Sequence, residues 1–143
     1  MIMVEITMNK IQLFISVLGG IIMASLGGCD TLLMVLIGFV AVDYISGVVL
    51  AIKNRKLNSR VGFVGLAKKA MIFLVVFLAH LLDEVTGIGA IRSMAVMFYI
   101  SNEGISILEN LGKLEVKYPQ KLKDILEQLE DKHEHTENTE SDY

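Results

Sequence analysis

The sequence predicts an all-α integral membrane protein with four transmembrane helices, and three observations predict it. Between Ile11 and Leu111 there are four apolar stretches, at Ile11 to Gly28, Leu32 to Ile52, about Lys69 to Leu82, and Ile88 to Leu111. A hydrocarbon core of about 30 Å takes about 20 apolar residues in a helix, and only helices or closed barrels satisfy the backbone there. The mean hydropathy of +0.57 over 143 residues exceeds that of an ordinary soluble domain. Finally, the positive residues that flank the stretches are sorted by side. These observations divide the chain into a membrane domain, residues 1–112, and a cytoplasmic segment, residues 113–143.

The first stretch reads as a helix with a small-residue face, because Ser16, Gly20, Ala24 and Gly28 recur every four residues. Association in lipid depends on close backbone approach, so this row is expected to pack on another helix. Its end, Leu26-Gly27-Gly28-Cys29, resembles a bacterial lipoprotein cleavage box, with Lys10 as the positive region before it. Glu5 in that region, and a further span after Cys29 in place of an exported domain, argue against cleavage.

On the second stretch, Asp43, Gly47 and Ala51 form a similar row, a candidate partner for the first. At 1.5 Å per residue, Asp43 lies about 20 Å from Asp30 and about 15 Å from Lys53, near the middle of the bilayer. An ionised carboxylate at that depth is expected to be neutral, paired, or turned to water inside an assembly. It serves as an interhelical hydrogen-bonding group or as part of a water path.

The third stretch is interrupted by His80, Asp83 and Glu84, and hydropathy alone leaves it doubtful. Charge sorting supplies the argument for it. With a cytoplasmic N-terminus, Lys10, the cluster Lys53, Arg55, Lys56, Arg60, Lys68 and Lys69, and the group Lys113, Lys117, Lys121, Lys123 and Lys132 all fall inside, which leaves only Arg92 outside. Both termini are then cytoplasmic after an even number of crossings. Lys53 to Lys69 reads as a basic inner loop against the anionic leaflet, or as a topology anchor alone.

The fourth stretch carries a polar stripe. At 100° per residue, Arg92, Asn102, Glu103, Ser106, Glu109, Asn110 and Lys113 fall within about 120°, with Ile100, Ile105 and Leu108 outside that arc. On a transmembrane helix such a stripe suggests an aqueous lumen or a carboxylate-rich seam between subunits, while on an interfacial helix it would simply face water.

After the membrane, Pro119 is placed to open a short amphipathic helix carrying Leu122, Ile125, Leu126 and Leu129, which should pack on a neighbour or on the inner loop. From Asp131 the acids mixed with Thr, Ser and Asn predict a disordered tail. The eight acids of residues 124–143 account for the net charge of −3. His133 and His135 in such a tail are expected to be solvated, not metal-bound.

A single cysteine excludes an internal disulfide. No nucleophile, base and orienting group converge, and no phosphate loop or metal-ligand cluster is present in the sequence. The chain is not expected to be an enzyme, to take a cofactor, or to bind nucleic acid. Its expected partners are the lipid bilayer and further copies of itself.

The strings D-Y-I-S-G at Asp43 to Gly47, K-K-A at Lys68 to Ala70, F-Y-I-S-N-E-G-I-S-I-L-E-N at Phe98 to Asn110 and K-L-K-D-I-L-E-Q-L in the tail resemble the toxin-secretion/phage-lysis holin family of Gram-positive bacteria and their phages. The resemblance spans about Leu32 to Leu129. It implies a protein of the bacterial cytoplasmic membrane that oligomerises and opens lesions for an endolysin or a large toxin, without necessarily touching that cargo. It places Asp43, Tyr44, Gly47, Asn102, Glu103, Gly104 and Ser106 at family motif positions, and Glu109 joins them as a pore or oligomer candidate from the stripe. Several members have three spans, so the count of four rests on the charges. Met1, Met3 and Met8 would permit a longer inhibitory form, but Glu5 supplies the wrong charge for one. The alternatives are a small ion channel or proton-coupled transporter titrating at Asp43 or Glu103, and a scaffold with no permeability change.

Overall fold

The structure, a computed structural model, describes residues 2–56 and 58–138. It is all-helical over them, with α1 at Ile2–Ser25, α2 at Thr31–Lys53, α3 at Ser59–Thr86, α4 at Ile91–Lys113 and α5 at Gln120–Asn138. Two helices are long and apolar enough to cross a membrane, Thr31–Lys53 and the Gly62–Thr86 part of α3. The apolar part of α1, Asn9–Ser25, is shorter, and α4 is too polar to qualify by composition.

α4 is the centre of the bundle, packed against α2, α3 and α5, while α2 and α3 meet less extensively. The core joins Leu33, Leu36 and Val40 of α2, Ile72 and Val76 of α3, and Val96 and Ile100 of α4. On each helix these residues recur at spacings of three and four, which places them on one inward stripe. The outward faces of α2 and α3 are also apolar, with Met34, Val42, Ile45 and Val49 on one and Phe63, Leu66, Leu74 and Leu78 on the other all exposed. A soluble bundle would turn charge outward at those positions, so the bundle is built for lipid.

Local signals set the helix ends. Asp30 caps α2, its carboxylate accepting from the Leu33 amide at 2.9 Å. Gly27, at φ +84, closes α1, with the Gly28 amide bonded back to the Met23 carbonyl. α4 has no side-chain cap of its own at Ala90, and Asp83 of α3 accepts from the amides of Ile91 and Arg92 at 2.9 and 2.8 Å instead.

Several sequence expectations change. α3 starts ten residues before the third apolar stretch, so the basic loop shrinks to residues 54–58 and Arg60, Lys68 and Lys69 become helical. Gly28 lies in the α1–α2 turn, beyond the helix it was expected to line. Ser16, Gly20 and Ala24 are exposed, no atom lies within 4 Å of where a Cβ on Gly20 would stand, and α1 shares no extended contact with α2 among the described residues. The Asp43–Gly47–Ala51 row of α2 borders α3 and α4 instead. α5 continues to Asn138 where a disordered tail was expected from Asp131, because a nucleated helix extends cheaply through Glu and Lys. His133 and His135 fall on that extension, and their side chains lie outside the described residues, as does the tail from residue 139.

Candidate functional site

The inward stripes of α2, α3 and α4 are apolar in the middle and polar at both ends, so the bundle holds two polar layers. In the outer layer, the Arg92 guanidinium donates to Asp30 at 2.6 Å, to the Leu26 carbonyl at 2.5 Å and to the Gly28 carbonyl at 3.3 Å. Gly27 makes this possible, because a Cβ there would stand 2.7 Å from Arg92 Nε. The guanidinium and the Leu33 amide together hold the Asp30 carboxyl below its ordinary range.

In the inner layer, Lys69 reaches from α3 into the α2–α4 interface. Its ammonium lies 2.5 Å from Asp43 and also pairs with Glu103. All three side chains are largely buried, at 16%, 9% and 9% exposure. The Asn110 amide donates to Asp43 at 3.1 Å and to the Ser46 hydroxyl at 3.0 Å, and Ser46 donates in turn to the Asp43 carbonyl. No buried side-chain polar atom is left without a partner among the described residues. A cavity of about 220 Å³ adjoins the cluster, bordered by Asp43, Tyr44, Gly47, Gly62, Lys69 and Asn110.

Asp43 is thus paired, one of the three options its position allows. Lys69 is corrected from a loop cation to the central charge of a buried triad, two carboxylates on one ammonium. The residues sequence reasoning missed here are Lys69 and Ser46. The signal for Lys69 was its helical spacing to Ile72, Val76 and Ala79.

The polar stripe of α4 splits in two. Arg92, Glu103 and Asn110 turn inward and are satisfied within the chain. Asn102, Glu109 and Lys113 turn outward, with the Glu109 and Lys113 side chains paired to each other at 3.5 Å, and Ser106 stands between the two sets, half-buried. Of the pore and oligomer candidates, Asp43, Tyr44, Gly47 and Glu103 are brought together, while Asn102, Glu109 and Ser106 are not.

On the far side of α4, the fully buried Ser101 hydroxyl donates to the Leu126 carbonyl of α5 at 2.6 Å. A Cβ on Gly104 would lie 2.6 Å from a Leu126 methyl and 3.0 Å from the Phe39 ring, so only glycine lets α2, α4 and α5 meet there. An apolar groove of about 680 Å³ runs along this junction, lined by Val35, Phe39, Val42, Leu108, Ile125 and Leu129 among others. No group of three or more metal-ligating side chains occurs among the described residues.

Against known proteins, the model of the bacteriophage holin family matches residues 20–131. An uncharacterized 14.9 kDa protein of Clostridium perfringens is 39% identical over 130 residues, covering 90% of this chain and 98% of that one. A protein described as "probable holin" from Bacillus phage phi105 is 40% identical over 90 residues, 62% of this chain and 67% of that one. An uncharacterized protein of Listeria monocytogenes is 40% identical over 101 residues, covering 70% of this chain and 72% of its own length. No solved structure matches.

Proposed function

The chain belongs to the bacteriophage holin family, and from that premise we propose that it oligomerises in the bacterial cytoplasmic membrane and opens lesions that release an endolysin or a large toxin. The observation that carries this reading is the outward half of the α4 stripe. Asn102 and Glu109 sit on a helix packed between two apolar ones, yet face away from the bundle, where hydrocarbon would leave them unsolvated. They call for another copy or for water. The inward half is already satisfied by Asp43, Lys69 and the α1–α2 turn, and it acts as the frame that keeps α4 in place.

In this reading α1 to α4 all cross the membrane, the N-terminus and the Lys113–Pro119 link are cytoplasmic, and the exposed small-residue row of α1 drives lateral association. The supports are the charge sorting and the apolar faces of α2 and α3. Opening is a change in what Asn102 and Glu109 face, from a neighbouring subunit to water.

The test is expression in a bacterial host with an endolysin, together with leakage of markers of graded size. Release of folded protein with abrupt lysis is the expected result. Passage of ions alone would instead favour the small channel titrating at Asp43 or Glu103, and no leakage at all would favour a scaffold.

A further inference from the structure

α5 is amphipathic, and its place against α2 fixes its depth. Leu126 meets Phe39 and Gly104 at one point. Phe39 is eight residues from the Asp30-capped start of α2 at Thr31 and fourteen from Lys53, or about 12 Å and 21 Å along that helix. If α2 crosses the membrane, Leu126 lies inside the hydrocarbon layer. The depth follows from α2 alone and does not depend on whether α4 crosses.

The outward side of α5 is strongly charged at that same level. Lys123 and Glu127 pair at 3.3 Å and are 44% and 49% exposed, and Asp124 is exposed beside them, accepting from Gln120 at 3.2 Å. A charged pair so exposed is not sustained against lipid tails, and among the described residues no other helix covers it. The inward side, by contrast, is fixed: Leu126 fills the space over Gly104 and takes the Ser101 hydrogen bond.

We infer that the outward face of α5, with Lys123, Asp124 and Glu127, borders water at membrane depth, and that copies of this chain assemble with that face turned to a shared aqueous space. α5 then supplies the wetted wall, while the lipid-facing surface is left to the outward apolar faces of α2 and α3. This rests on the lesion-forming reading for its partner, a second copy of the chain, and on the geometry of α5 for its residues.

The experiment uses the full chain in a Cys29→Ser background, since Cys29 is exposed and the sequence holds no other cysteine. In the first arm, Phe39→Cys with Leu126→Cys is treated with a short bismaleimide in membranes, and an intrachain cross-link is expected. In the second, Asp124→Cys, Glu127→Cys and Ile45→Cys are treated separately with a membrane-impermeant maleimide, in intact cells and in sealed inverted vesicles. Positions 124 and 127 are expected to react from at least one aqueous side about tenfold faster than position 45, which is exposed on the outward face of α2 about 12 Å from Lys53, where a thiol against hydrocarbon does not ionise. Absence of the cross-link would overturn the proposal, because α5 would then lie away from α2. A cross-link with positions 124 and 127 as slow as position 45 would overturn it equally. Failure of the lesion reading looks different: the cross-link and the labelling stand, but wild-type membranes release no protein marker.

Discussion

Lys69 neutralises two carboxylates that come from different helices, so removing it is felt at three places at once. Lys69→Met leaves Asp43 and Glu103 buried without a cation, and loss of one partner from a buried ion cluster costs about 3–5 kcal/mol. The expected result is a lowered denaturation midpoint in detergent micelles, partly restored in the double variant with Glu103→Gln. In the outer layer, the depressed carboxyl of Asp30 gives a pH signature. A group whose pKa is lowered on folding stabilises above its unfolded value, and that contribution fades as the pH falls through the folded one. The stability difference between wild type and Asp30→Asn should therefore be constant above about pH 5 and shrink toward zero below it, as followed by denaturation at a series of pH values. Asp43 was legible in the sequence as a charge needing an explanation. Its partner was not, because a lysine at the edge of an apolar run satisfies the positive-inside pattern equally well as a loop residue and as a helical one. Ser101 gave no signal, since its acceptor is a backbone carbonyl on a helix twenty-five residues away.

Among the elements, α4 and α5 depend on each other through a glycine. Gly104→Ala places a methyl against Leu126 and Phe39, and overpacking of this kind costs about 1–3 kcal/mol unless α5 moves away. Faster tryptic cleavage at Lys121 and Lys123 than in the wild type is the expected readout. Helical periodicity gathers the polar residues of α4 into one stripe, but a stripe about 120° wide is broader than the strip of surface one neighbouring helix covers. Half of it therefore faces α2 and α3 and half faces outward, and the division becomes visible only when the neighbours are in place. α3 illustrates the reverse. Hydropathy saw only its apolar middle, whereas the helix includes the basic residues before it, whose long aliphatic stems are at home beside lipid.

At the scale of the molecule, folding and assembly are separable because the small-residue row of α1 stands clear of the bundle, although Met23 near the end of the helix packs on the core. No atom of the described residues lies within 4 Å of where a Cβ on Gly20 would stand, so Gly20→Leu should leave the denaturation midpoint of the isolated protein unchanged, while lysis in cells carrying an endolysin should shift in time if that row mediates association. Unchanged lysis timing would move the assembly surface elsewhere. The class of the fold was legible from composition and charge, since both reflect the solvent. The arrangement was not, because in lipid the apolar faces are equivalent and only the few polar contacts choose which helix sits beside which. Chain order adds a last consequence. α5 follows in the chain everything it covers, so a polypeptide cut after Pro119 keeps α1 to α4 but leaves the seam over Gly104 bare and the Ser101 hydroxyl without its acceptor. Such a truncated chain should be more prone to aggregate than one that carries α5, because α5 closes the bundle on that side.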